Sequence, residues 1–544
     1  MTLTWTGGSQ FTGYRIYRND VQIGTTTSTT FTDTGLSAVT AYRYFVRGET
    51  ASGLSSPSGT ITLTTPNMLA LSLSKLLDPA SRSNMLVRDI EFDSAGNIFV
   101  TGGALSASFP TTAGAYDRTF GSGGSSAGSF GPSDAFVMKF NRSGQLLWST
   151  LIGGPNHDRA YGLEIAPDGG IVIAGRAGEG FPTTAGVIQP AFAGDTNPNA
   201  AYGKQDGFIA KISADGSTLL WSTYFGENNY GFLRDVAVDS NNKVYVAGPF
   251  FAGLAHITPS ALQSAPNGQH DLVYARLNAT ATTVEYGTYL GGNEPANEVA
   301  AAPSIIVTPN RDVYLTIVEG GNGAPTTSTA YQKNNAGGKD FLIARFNASD
   351  QLVYATYLGG SSGEDLETHN IAVDGSGRLA IAGTSSSSNY PTKTDAYQPA
   401  FGGGSADGVV SILSADGSTL VASTFLGGTG REEVQGIEFA PDGLLYVSGG
   451  STSSSLKTTS NAFQKSAAGG ADAILAAFLP SLKGAPYLSY FGGSNDEQSN
   501  ALAIASDGAV AFCGETASSN FPVTGGGSTA PSSGETGWWT LLQP

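Results

Sequence analysis

Asp206-Gly207-Phe208-Ile209-Ala210-Lys211-Ile212, followed by Leu220-Trp221-Ser222-Thr223-Tyr224, is the stretch whose reading decides the fold. Both runs are short, apolar and bounded by turn-forming residues, the pattern of consecutive β-strands. The first run recurs with its leading acid at Asp134–Phe140, Asp271–Leu277, Asp340–Phe346, Asp407–Leu413 and Asp472–Phe478, about once every seventy residues. The second recurs at Leu147–Leu151 and Val353–Tyr357, and the copies close on Gly-Gly at Gly153, Gly291, Gly359, Gly427 and Gly492, with Gly226 as a single-Gly variant. A hairpin such as Ile371-Ala372-Val373-Asp374, returning through Leu379-Ala380-Ile381-Ala382, completes each unit. Each unit therefore holds four strands, and its first strand is read seven times, near 87–93, 161–167, 233–239, 304–308, 370–374, 435–441 and 500–506.

Repetition at this period marks a repeat architecture. Four-stranded units stacked in an open row would leave sheet edges bare, whereas a ring covers them. The expectation is an all-β chain whose residues 69–544 form a seven-bladed β-propeller. Its last blade runs out of chain after Gly537-Trp538-Trp539-Thr540-Leu541-Leu542, which fits a third strand. The fourth is expected from residues 69–77, so that the two ends of the domain latch together. Trp538 and Trp539, adjacent on a strand, must face opposite sides.

Composition narrows the class. The chain has 544 residues, 74 of them Gly, and only 13% are charged, which argues against helical bundles and charged disordered tails. The net charge of −17, without a basic run, excludes nucleic-acid binding. No stretch is long and apolar enough for a membrane helix. The single Cys513 and four scattered histidines exclude an internal disulfide and the common zinc sites. Met1–Trp5 reads as a strand and not as a secretory leader, yet the acidic, Gly/Ser/Thr-rich, lysine-poor texture suits a processed or truncated secreted chain.

Residues 1–66 differ in texture. Leu3-Thr4-Trp5, Tyr14-Arg15-Ile16-Tyr17-Arg18, Asp33-Thr34-Gly35-Leu36 and Tyr42-Arg43-Tyr44-Phe45-Val46 are short strands and turns of a β-sandwich. Their order resembles a fibronectin type III domain whose first strand is missing, and the linker Thr65-Pro66-Asn67-Met68 leads directly into the latch strand. From residue 69 onward, the Asp-Gly-Phe-Ile-Ala-Lys, Trp-Ser-Thr-Tyr and Gly-Gly elements resemble the SBBP beta-propeller repeats of bacterial secreted and surface proteins. So do the Phe-Pro-Thr-Thr elements at Phe109–Thr112 and Phe181–Thr184, with variants at Tyr390–Thr392 and Phe521–Thr524. The resemblance implies fold and is silent on activity.

Chemistry is expected where connections meet the channel mouth. The connections between units concentrate acids: Asp158; Glu227; Glu294 and Glu298; Glu364, Asp365 and Glu367; Glu432 and Glu433; Asp496 and Glu497. Hard cations such as Ca²⁺ take several oxygen ligands, and Glu364, Asp365 and Glu367 are the candidate set. Against that, no D-x-D-x-D-G loop is present, and solvated loops of an acidic protein carry acids in any case. The repeated Asp134, Asp206, Asp271, Asp340, Asp407 and Asp472 read as turn locks accepting backbone N–H groups, since a residue repeated around a ring is structural by symmetry. His369 beside Asp365 and Glu367 lacks a G-x-S-x-G elbow and reads as a packed or channel-lining residue. The long loops between second and third strands form a rim with Tyr116, Phe120, Phe181, Tyr390 and Tyr397 as candidate ligand contacts.

Three functions follow. The first is a non-catalytic extracellular structural or adhesive protein that associates with itself or with other surface proteins, needs no cofactor and has neither a membrane span nor a nucleic-acid partner. The second is a glycan-binding module using the aromatic rim, and the third a hydrolase or lyase at the channel mouth. The sequence supports the first most directly.

Overall fold

The computed structural model describes residues 2–34, 36, 40–64, 69–78, 85–196, 198–293, 302–367, 369–524 and 535–544. The linker Thr65–Met68, Gly35, and the acids Glu294 and Glu298 lie outside the described residues. Met1–Ala70 and Leu71–Gln543 form two compact units. Among the described residues no helix is long and apolar enough to cross a membrane.

The first unit pairs Thr2–Thr4 with Thr30–Thr32, and builds a second sheet from Val21–Thr26, Gly13–Arg18, Ala41–Thr50, Gly53–Leu54 and Ile61–Thr64. Leu3, Ile16 and Tyr44 are its buried centre, flanked by Trp5, Ile23, Phe31, Tyr42 and Leu63. Asp33 ties the sheet edge to that centre: Arg18 Nη1 lies 3.1 Å from its carboxylate, and the Tyr44 hydroxyl donates to it at 2.8 Å.

The larger unit is all-β and propeller-like. Among the described residues it contains seven antiparallel sheets, six of them continuous in sequence. The second sheet, Arg159–Ile165, Ile171–Ala177, Asp206–Ile212 and Leu219–Phe225, shows the plan. Second and third strands are buried throughout, the mark of sheets packed on both faces. First strands contact one another in sequence from Met85–Phe92 onward, and Glu497–Ile504 of the seventh sheet returns to Met85–Phe92 of the first. Apolar side chains fill the spaces between neighbouring sheets, as where Val172, Ile209 and Trp221 of the second sheet meet Val246, Val273 and Tyr289 of the third.

The seventh sheet runs Glu497–Ile504, Val510–Thr516, Thr536–Gln543 and then Ala70–Leu76. The segment that precedes the first sheet thus supplies the last strand of the seventh. Ser74 Oγ and Thr540 Oγ1 are 3.0 Å apart across this pairing, and Leu77 N donates to Gly537 O at 2.9 Å. Trp538 and Trp539 are fully buried on opposite faces: Trp538 meets Phe512 and Phe521, while Trp539 joins Phe140 in the space between the seventh and first sheets. Cys513 fills part of the same core, where burial pushes its thiol far above the ordinary range.

A register shift recurs in the first strands. Pairing slips by one residue at Arg88, Tyr161, Gln435 and Asn500, each a β-bulge opposite a second-strand glycine (Gly102, Gly175, Gly449, Gly514). A Cβ on those glycines would overlap the carbonyl beside the bulge, which explains why the second strand keeps Gly there. In the fifth sheet the interruption is larger. Glu364–Asp365 and Ile371–Val373 pair separately with Leu379–Ser385, and His369 lies between them with φ of +64°.

Candidate functional site

The repeated acids hold loops. Asp134, Asp206, Asp271, Asp340, Asp407 and Asp472 each accept one backbone N–H from the loop ahead of the third strand, from Gly121, Ala193, Asn267, Ala336, Gly402 and Ala468 at 2.5–3.0 Å. The Gly that closes each fourth strand sits against the same carboxylate, and a Cβ on Gly153, Gly226, Gly291, Gly359, Gly427 or Gly492 would overlap it. Acid and glycine are one device.

The acids between units are used similarly. Glu364 accepts Gly360 N at 3.1 Å and Ser385 Oγ at 2.7 Å, Glu432 accepts Gly428 N and Ser451 Oγ at 2.8 Å each, and Glu497 accepts Gly493 N and Thr516 Oγ1 at 2.6 Å each. Asp158 accepts Gly154 N and Gly178 N at 2.6 and 2.8 Å. These carboxyls are struts between the Gly-Gly turn and the second strand. The structure does not bring Glu364, Asp365 and Glu367 together as ligands: Glu364 is buried and pinned, Asp365 is exposed, and Glu367 pairs with Arg234 at 2.5 Å. Among the described residues no group of three or more His, Cys, Asp and Glu side chains converges to hold a metal.

The rim aromatics also have internal partners. Phe181 and Tyr390 are buried, Phe181 against Phe208 at 4.4 Å between ring centres and Tyr390 with its hydroxyl 2.9 Å from Ser411 Oγ. Tyr116, Phe120 and Tyr397 are half-buried and packed on core clusters. Their placement follows from edge protection. The residue ending each Phe-Pro-Thr-Thr element, or its counterpart, donates its backbone N–H to the fourth strand: Thr112 to Ser149 O, Thr184 to Ser222 O, Thr327 to Ala355 O, Lys393 to Ser423 O, and Thr524 to Ser74 O, at 3.0–3.2 Å. The loop thereby covers half of an otherwise bare sheet edge, and the aromatic residue anchors it.

The residues at the centre were not legible as a group. Arg159, Tyr161, Arg176 and Arg234 belong to the second and third sheets, and Tyr161 is the bulged residue of its strand, an arrangement that re-aims a side chain. Arg159 Nη2 contacts the Tyr161 hydroxyl. The Arg234 guanidinium lies 4.3 Å from the Tyr161 ring centre, and that of Arg176 is stacked between Tyr202 at 3.9 Å and Phe232 at 4.0 Å. Tyr202 is stacked in turn on Phe130, which is 56% exposed. Burial works to raise the Tyr161 pKa, but Arg159, Arg176 and Arg234 outweigh it and bring it down to about 7. The one available sequence signal was Gly175, whose presence marks a bulge opposite.

His369 reaches across from the fifth sheet. Its Nε2 lies 3.2 Å from Tyr161 O and 3.5 Å from Asp89 Oδ1, with Nδ1 3.9 Å from Asp235 Oδ1. Burial opposes its charge, yet Asp89 and Asp235 together raise its pKa. His369 also lines a cavity of about 310 Å³ walled by the first strands, with Asp89, Glu91, Glu164, Asp235 and Glu438. Burial pushes Glu164 and Glu438 up to about 8 and Glu91 well above its usual range, so these carboxyls are largely neutral near pH 7.

Comparison with known proteins gives the following. The beta-propeller repeat family (SBBP) matches residues 353–391. The chain is 48% identical to exoglucanase B of Cellulomonas fimi and 56% identical to an alpha-amylase of Niallia circulans, each over 68 residues and 12% of this chain. It is 21% identical over 320 residues, 56% of its length, to the regulatory protein FlaEY of Caulobacter vibrioides. The chain spans only 6%, 5% and 31% of the lengths of these three relatives. Similar solved structures include a protein of unknown function from Dyadobacter fermentans, with a TM-score of 0.42, 12% identity, and coverage of 88% of this chain and 99% of that one. A quinohemoprotein alcohol dehydrogenase from Comamonas testosteroni matches with a TM-score of 0.38, 10% identity, and coverage of 87% and 76%.

Proposed function

We propose that the chain is a non-catalytic structural or adhesive protein of the cell exterior, able to associate with itself. In this reading residues 69–544 are a seven-bladed β-propeller of SBBP type, and residues 1–66 a fibronectin type III-like sandwich. The observation that carries it is the pattern left open on the outer strands. Loops cover the C-terminal half of each fourth strand, but in four of the seven sheets the N-terminal half keeps an exposed apolar side chain at the matching position: Leu147, Leu220, Val353 and Val421, each 40–49% exposed. Repeated apolar residues on bare sheet edges suit pairing with another chain by strand addition. Four of the acids between units, Asp158, Glu364, Glu432 and Glu497, are held by backbone N–H groups, in keeping with a scaffold.

Sedimentation and negative-stain imaging of the full chain at high concentration test this reading. The expected result is concentration-dependent association or ordered arrays, weakened by Leu220→Lys combined with Val353→Lys. A monodisperse monomer at all concentrations contradicts it. A second reading, a glycan-binding module, draws on the two short matches to an exoglucanase and an alpha-amylase. Retention of the chain on a glycan array, unchanged by the two Lys substitutions, favours it over the scaffold.

A further inference from the structure

Arg159, Arg176 and Arg234 are only 4%, 2% and 9% exposed, in a chain of net charge −17. Burying a cation without a counter-charge is strongly unfavourable, so buried arginines are ordinarily paired. Here, among the described residues, a single carboxylate, Glu367, forms an ion pair with any of the three. Asp235, next to Arg234 in sequence, faces His369 and accepts Val236 N and Ile305 N. The Nε atoms of all three arginines are buried without an acceptor. Ring faces of Tyr161, Tyr202 and Phe232 support the guanidinium planes. Arg159 Nη2 contacts the Tyr161 hydroxyl, Arg176 Nη1 donates to the Tyr230 hydroxyl at 3.3 Å and Arg234 Nη2 donates to Glu367, which leaves the three Nε–H groups as the donors still needing a partner. An oxyanion meets that need, because carboxylate, sulfate and phosphate oxygens accept guanidinium N–H groups in pairs.

We propose that this arginine cluster binds an oxyanion, the carboxylate, sulfate or phosphate group of a small ligand, and that Glu367 is the built-in competitor at Arg234. Glu367 suits that role because its side chain is 48% exposed and it lies between the two separately paired pieces of the fifth sheet's first strand, Glu364–Asp365 and Ile371–Val373, outside any ladder that would hold it. The inference is independent of the scaffold reading: a monodisperse monomer that binds an oxyanion leaves it intact.

The test is calorimetric titration of the full chain with sulfate, inorganic phosphate, D-glucuronate and, as the neutral control, glucose, at ionic strength held constant with chloride. Saturable binding of at least one anion and none of glucose is expected. Binding should weaken about tenfold or more in Arg234→Gln, which loses a charge-assisted contact, and tighten several-fold in Glu367→Gln. Saturation should also diminish the tyrosinate absorbance near pH 8, an effect absent from Tyr161→Phe. Equal affinity for phosphate and glucuronate assigns a free oxyanion, and preference for glucuronate a sugar-borne carboxylate. If Arg234→Gln does not fold, Glu367→Gln and the absorbance signal decide. Absence of saturable binding in both the wild type and Glu367→Gln overturns the proposal, as does binding that neither Glu367→Gln nor Tyr161 registers.

Discussion

Gly427 stands where a side chain has no room, because the Asp407 carboxyl occupies the space a Cβ would take. Gly427→Ala is expected to destabilise the larger unit by ~1–3 kcal/mol through overpacking. Asp407→Ala should cost a similar ~1–3 kcal/mol, since it leaves Gly402 N without its acceptor. The double variant should lose clearly less than the sum, because the added methyl enters the space the carboxyl leaves. Guanidinium unfolding of the four proteins measures this, and strictly additive losses would show that acid and glycine act separately. The lock role of the acid was readable in the sequence from its sixfold recurrence; its coupling to the glycine about twenty residues later was not, since only the sheet brings them together. The acids between units were only half legible for a related reason. Sequence gives their charge and place in a connection, but whether Glu364 faces solvent or Gly360 N depends on how closely the next sheet approaches.

These struts and locks give the sheets a pH signature. Burial raises Glu364 to about 8 and Asp134 and Asp206 to about 7, well above the ~4 of an unfolded carboxyl. The folded state therefore holds protons that the unfolded state has released, and stability falls as pH rises from about 5 to 8. Asp93, Asp168, Asp374 and Glu285 are shifted the other way, so their contribution is lost only below the ordinary carboxyl range. The denaturant midpoint should be higher at pH 5.5 than at pH 8.5, and Glu364→Gln should flatten the difference. A midpoint that climbs steadily across that interval would contradict the account. Strand positions along the chain were legible because each apolar run is bounded by Gly, Asp or Ser. The bulges were not, being set by pairing register, and with them went the placement of Tyr161. The anchoring role of two rim aromatics was hidden for the same cause: Phe181 and Tyr390 are buried under loops that cover sheet edges, a demand visible only once the edge exists.

At the scale of the molecule, the repeat made the sheets legible, while the central cluster is assembled from side chains far apart in sequence and carries no motif. The latch was foreseen by elimination, since the last unit lacked a strand and the segment ahead of the first had none to pair with. Trp539 is fully buried in that closure, and Trp539→Ala should cost ~3–5 kcal/mol and promote aggregation through the freed edge. The most direct measurement of ring closure is a cross-link between Ser74→Cys and Thr540→Cys, whose native hydroxyl oxygens are 3.0 Å apart. Mild oxidation should join them nearly quantitatively, leaving the buried Cys513 as the one free thiol and raising the thermal midpoint. Recovery of three free thiols from folded, oxidised protein would mean that the two ends of the ring do not meet.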